Sequence, residues 1–235
     1  MIYELYYWTG IQGRGEYIRL ALEAAGAPYR DVAREEGDHV IADVANRLAT
    51  PSFAPPFLKD GSLVVGQVSA ILLYLGDKLD LAPKDERLRL WTHQIQLTIA
   101  DFVLEGHDVH HPVGAGRYYE EQKPEALRRA EEFREERVPK FLDWFETILE
   151  RNPEGPAHLV GDRLSYADLS LFQAMSGLTY AFPKLMGKLW PQCEKVNAVC
   201  TTVRELPAIA AYLASDRRLA PNENDLFRHY PELDP

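Results

Sequence analysis

FAPPFLKDGSLVVGQVSAILLYLG, residues 53–76, decides how this chain is read. Phe57 to Lys59 is a short apolar run entered through Pro55-Pro56. Asp60-Gly61 is a tight-turn dipeptide, and Leu63 to Val65 is a second β-type run. Gly66-Gln67 then opens an apolar helix that Gly76 closes. The stretch reads as strand, hairpin, strand, helix. Pro56 at a strand entrance is a candidate for a cis peptide bond. Backbone is left free for a ligand at two places. One is the chain just before Pro56. The other is the helix start at Gln67, where unpaired N–H groups and the helix dipole favour a carboxylate.

Upstream, Ile2 to Tyr7 is β-rich, and Gly10, Gly13 and Gly15 interrupt it. A helix follows from Arg14, with Ile18, Ala21, Leu22 and Ala25 on one face. Arg19 and Glu23 form an i,i+4 charged pair, and Gly26 is a stop. A glycine-rich dinucleotide loop is excluded, because the GxGxxG template read from Gly13 demands glycine where Ile18 stands. Tyr29 to Ala33 reads as a second strand, and Arg34 to Ser52 as a polar loop with one short helix. The order β-α-β, then β-β-α, is that of an α/β thioredoxin-like domain.

Downstream, LDLAPKD at residues 79–85 is the connection. The domains divide as 1–80, a linker at 81–87, and an all-α domain over 88–235. Leu88, Trp91, Ile95, Phe102 and Val109 recur at helical spacing. Pro124 suits the first turn of a helix that runs to about Glu150 and kinks at Pro139. Ser165 and Asp168 make a capping box with Asp for the usual Glu, and Leu164 and Leu169 occupy the staple positions. The helix from there through Phe182 is apolar nearly all round, which marks it as the core helix. Two helices, Pro191 to Glu205 and Pro207 to Ser215, precede a polar tail anchored by Phe227 and Tyr230.

At 46% hydrophobic and 26% charged residues the composition is that of a globular protein. A net charge of −10 argues against nucleic acid as a partner. No apolar run approaches the ~20 residues of a membrane span, and no secretion signal is visible. Cys193 and Cys200 fall seven apart in a helical segment, about 10 Å at a helical rise, too far for a disulfide. A reduced, cytoplasmic setting is the expectation.

With Pro56 and Gln67 eleven apart, residues 53–76 resemble the second half of the thioredoxin-like domain of the cytosolic glutathione transferases. LVGDRLSYADLSLF (159–172), ERVPKFLDWFE (136–146) and LPAIAAYLAS (206–215) resemble that family's helical C-terminal domain. The resemblance covers nearly the whole chain and implies a homodimer that joins glutathione to a hydrophobic electrophile, in detoxification. Glutathione is the co-substrate and no metal is called for. In the family, a cis-proline aligns the tripeptide backbone and a Gln-Ser pair holds its γ-glutamyl end.

The chemistry is activation of a thiol, which at pKa ~8.5 is mostly unreactive at neutral pH. A hydroxyl donating to sulfur favours the thiolate. In the family this donor is a Tyr, Ser or Cys at the end of the first strand or in the following turn; residues 1–51 contain neither Ser nor Cys, so the resemblance implies Tyr7 as the activator and a tyrosine-type class. One extra residue in the turn before Arg14 keeps Tyr6 and Thr9 in play. The resemblance implies that Trp8, Arg14, Arg47, Pro55, Gln67, Val68, Ser69 and Asp101 contact glutathione, Asp101 from the partner subunit, with Glu105 and Asp108 as its alternatives. Two positions depart from the family. Val68 stands where the serine hydroxyl belongs, and Pro55 has no N–H to offer. Gly10, His107, His111 and Tyr118 are expected around the acceptor pocket. His107 and His111, at i,i+4, lack further ligands for a metal. A second reading is a non-catalytic carrier of hydrophobic ligands on the same fold. A thiol-disulfide oxidoreductase ranks last, for want of a cysteine near the first turn.

Overall fold

The computed structural model describes residues 2–235. Strand β1 (Tyr3–Tyr6), helix α1 (Gly15–Ala24) and strand β2 (Tyr29–Asp31) form a β-α-β unit, with β1 and β2 parallel. Two short helices follow, α2 (Val32–Glu36) and α3 (His39–Ala45), where the sequence suggested one. Val32 and Ala33, read as strand, belong to α2, whose apolar pair is buried against Tyr6 and Phe57. β3 (Phe57–Asp60) and β4 (Leu63–Gly66) form the expected hairpin, Asp60 opposite Leu63. The sheet order is β2-β1-β3-β4, with β3 antiparallel to β1. The Pro55-Pro56 bond is cis.

Helix α4 (Val68–Lys78) begins one residue after Gln67, which takes φ +65°. It also runs two residues past Gly76. That glycine does not stop the helix. It makes room, since a Cβ there would lie 2.7 Å from the Tyr166 ring. Arg19 likewise departs from expectation. It is fully buried and paired with Glu16 and Asp31, while Glu23 takes Tyr29 and Arg217.

Asp85 caps helix α5 (Glu86–Asp108) by accepting from Leu88 N at 3.0 Å. Helix α6 (Lys123–Glu132) carries Pro124 in its first turn. It passes through a π-helical turn at Phe133–Arg137 into α7 (Val138–Arg151). The irregular turn comes just before Pro139, whose ring crowds the preceding carbonyls. Helix α8 (Tyr166–Ala181) is buried on nearly every side. It packs on α1, α5 and α10, and so joins the two halves of the molecule. Helix α9 (Pro183–Leu189) had no counterpart in the sequence reading. Helices α10 (Glu194–Glu205) and α11 (Pro207–Leu213) did.

The tail after α11 returns to the core. Phe227 is buried against Gly106 of α5 and Gly177 of α8, where a Cβ on Gly177 would come 2.2 Å from its ring. Tyr230 stacks on Tyr119 with centroids 3.8 Å apart. Both anchors were legible. Among the described residues no helix is long and apolar enough to cross a membrane.

Candidate active site

Side chains alternate across a strand, so Tyr6 and Tyr7 face opposite sides of the sheet. Tyr6 stacks on Phe57 at 4.6 Å and donates to Glu4. Thr9 bonds to Asp38 through both its N–H and its hydroxyl. Tyr7 instead lies under the start of α1, only 3% exposed. Gly13 and Gly15 make that approach possible. A Cβ on Gly13 would fall 2.1 Å from the Tyr7 oxygen, and one on Gly15 would fall 2.6 Å from the ring. The phenol oxygen accepts the N–H of Arg14 at 2.8 Å. Burial pushes the Tyr7 pKa up to about 12, against the opposing pull of Arg14. The phenol therefore keeps its proton at neutral pH.

Arg14, Gln67, Val68 and Ser69, singled out from sequence, line one cleft between the start of α1, the start of α4 and α5. The first N–H groups of α4 have no partner within the helix, which favours a carboxylate here. Tyr17, Gln96, Ile99 and Val103 complete the walls. Other expected contacts lie elsewhere. Trp8 is half-exposed on the β1–α1 turn, and Arg47 is exposed beyond α3. Asp101 is exposed on α5, one residue past the cleft-lining Ala100. Its two alternatives are engaged, Glu105 with Arg137 and Arg129, and Asp108 with His107.

The four acceptor-pocket candidates do not converge on the cleft. The Gly10 carbonyl accepts from Asn222, and Tyr118 is exposed on the loop before α6. His107, His110 and His111 form a cluster at the end of α5, their rings about 5 Å apart. His110 donates to Leu226 O, and His111 accepts from the Gln122 amide. Burial holds the pKa of His107 below the usual value, and the charge of Arg14 works in the same direction. Among the described residues no group of three His, Cys, Asp or Glu is arranged to hold a metal. Cys193 and Cys200 are buried and free, their thiols pushed up to about 11 and 12. Neither has the lowered pKa of a reactive cysteine.

Residues 107–216 match the family model described as the C-terminal domain of glutathione S-transferase. Glutathione S-transferase P 1 of Xenopus laevis is 28% identical over 88% of this chain and 90% of its own. Glutathione S-transferase of Plasmodium falciparum is 25% identical over 90% and 94%. The match gives residues 107–216 as a glutathione S-transferase C-terminal domain. Two solved structures share the fold. The Pi-class glutathione S-transferase of Onchocerca volvulus is 22% identical, with TM-score 0.71 over 91% of this chain and 92% of that one. Prostaglandin synthase D of Nilaparvata lugens is 23% identical, with TM-score 0.72 over 94% and 100%.

Within this transferase fold the sequence reading missed one carboxylate altogether. Asp225, in the tail, accepts from Gln12 N at 2.9 Å and Gly13 N at 2.8 Å. The next N–H along, that of Arg14, goes to Tyr7. Three successive amides therefore hold the turn, two on Asp225 and one on the phenol. Gln12 adds side-chain bonds to Leu219 O and to Gln173. No motif marks Asp225, which lies in a polar tail more than 200 residues from its partners.

Proposed function

We propose that the chain conjugates glutathione to an electrophilic small molecule, with Tyr7 donating a hydrogen bond to the sulfur. The Arg14 N–H on the phenol oxygen carries this reading. It occupies an acceptor lone pair and leaves the phenol proton free for a thiolate. The raised pKa keeps that proton in place. The thiol of glutathione gives its proton to solvent, and the thiolate forms a C–S bond to the electrophile as the leaving group departs. Arg14 places a positive charge beside the sulfur.

Gln67 and the first N–H groups of α4 would take the γ-glutamyl end, and the carbonyl of Pro55 the central amide. Arg47 and Trp8 would close over the remainder. Asp101, which forms no ion pair among the described residues, is suited to reach a second copy in a homodimer. His107, at the end of α5, would be the acceptor-side residue. Residues 1–80 would supply the glutathione half and 88–235 the acceptor half, in a cytoplasmic enzyme of detoxification.

The reading is tested first by calorimetric titration with glutathione, then by Tyr7→Phe. Conjugation rate should fall by about 10- to 100-fold, with glutathione affinity within about three-fold of wild type. An unchanged rate counts against Tyr7, and no binding at ten millimolar, on the order of the weakest useful affinity, counts against the whole reading. A carrier of hydrophobic ligands is the second reading. It is favoured by the missing hydroxyl at Val68 and by an apolar cavity of about 280 Å³ beside Leu88, Trp91 and Trp144.

A further inference from the structure

Gln96 lies on the wall of α5 that faces the start of α4. It is 1% exposed, and its Oε1 has no hydrogen-bond partner among the described residues. Its neighbours on this helix, Ile95, Ile99, Phe102 and Val103, are all buried and apolar. Packing alone would favour an apolar residue here, because a buried amide oxygen left unpaired is destabilising. The amide borders the same cleft as Gln67, Val68 and Ser69. Position 68 is where this chain lacks the hydroxyl that its family resemblance calls for.

We infer that Gln96 binds the α-amino-acid head of the γ-glutamyl group, in place of the hydroxyl absent at Val68. The inference rests on the transferase reading. The side-chain amide is both donor and acceptor, and its two ends exchange by rotation. The NH₂ suits the carboxylate, which the N–H groups of α4 reach from the other side. The carbonyl suits the ammonium. The γ-glutamyl head would then be gripped between α4 and α5, one helix from each half of the molecule.

The test uses the full chain with Gln96→Met and Gln96→Leu, titrated with S-hexylglutathione and with S-hexyl-cysteinylglycine, which lacks the γ-glutamyl group. Thermal unfolding is followed alongside. Affinity for S-hexylglutathione should fall by about 10-fold or more, while affinity for the dipeptide stays within about two-fold. The melting temperature should hold or rise, because an unpaired buried polar atom has gone. Unchanged affinity for S-hexylglutathione in both variants, or equal losses for both ligands, overturns the role of Gln96 alone. Failure of the wild type to bind S-hexylglutathione overturns the transferase reading and the inference with it.

Discussion

Two buried carboxylates hold two helix starts in this molecule, by opposite routes. Asp168, fully buried in α8, accepts from Ser165 N and Ser165 Oγ at 2.8 Å, three residues away, and from Leu159 N at 2.8 Å. Asp225, 8% exposed in the tail, accepts from Gln12 N, Gly13 N and its own neighbour Leu226 N. Each satisfies three donors. The first closes a local loop within the core helix. The second ties the last part of the chain to the turn that places Tyr7 and Arg14. One device serves the stability of the fold, and the other the geometry of the site.

The comparison breaks most sharply at Asp168. Replacing it with Ala strands two backbone N–H groups and a hydroxyl inside the core, at a cost of about 3–5 kcal/mol. Urea unfolding should show this as a lower midpoint with an unchanged slope. A loss below about 1 kcal/mol would mean that the core helix does not depend on its cap.

Acid should strain the tail at a neighbouring point. His110 is buried, which lowers its pKa to about 3 from 6.5 against the opposing pull of its bond to Leu226 O. Below pH 6.5 the unfolded chain takes up this proton while the folded chain does not. The stability that this neutral imidazole contributes is therefore present above pH 6.5 and lost as pH falls toward 3, on the order of 5 kcal/mol in all. His107 and His111 shift in the same direction. Asp168 and Asp225 work the other way, because burial raises their carboxyl pKa values. Their charged forms destabilise the fold as pH rises through those values, and acid relieves this. His110→Gln should flatten the fall in stability between pH 6.5 and 3. An unaltered profile would assign that fall to other groups.

The contrast also explains how much the sequence disclosed. The hairpin, α4, and the Ser165–Asp168 cap were legible because each is written within a few consecutive residues. Tyr7 was named through the resemblance, which offers Tyr, Ser or Cys where no Ser or Cys precedes residue 52, and the period of the strand separates it from Tyr6. Arg14, Gln67, Val68 and Ser69 were placed together by spacing and resemblance. What failed has one physical character. Arg19 looked like a surface partner of Glu23, because its true partner Asp31 comes from the next strand. Gly76 looked like a stop, because the Tyr166 ring that needs its space lies 90 residues on. Gln96 drew no reading from the sequence, and its burial on α5 beside the start of α4 is a tertiary feature. Asp225 had no local signal of any kind. Tertiary partners of polar residues are set by packing, which leaves no periodicity to read.

The smallest expected effect on stability sharpens the comparison most. Asp225→Asn keeps the size of the side chain and one carbonyl oxygen, but replaces an acceptor with a donor that faces an N–H. One of the contacts to Gln12 and Gly13 is lost, at a cost of about 1–2 kcal/mol. Because the tail is an appended tie and not part of the core, the loss should appear as local opening. Hydrogen exchange at the amides of residues 12–14 should speed up while those of α8 stay as they were. In the Asp168 variant, by contrast, the slowest amides throughout should be affected. If the proposed chemistry holds, conjugation should weaken with the turn, because the Arg14 N–H that fixes the Tyr7 oxygen follows directly on the two amides that Asp225 holds. Faster exchange at residues 12–14 with an intact rate would separate the tie from catalysis. Uniformly faster exchange would make Asp225 a second Asp168 and remove the distinction between the two carboxylates.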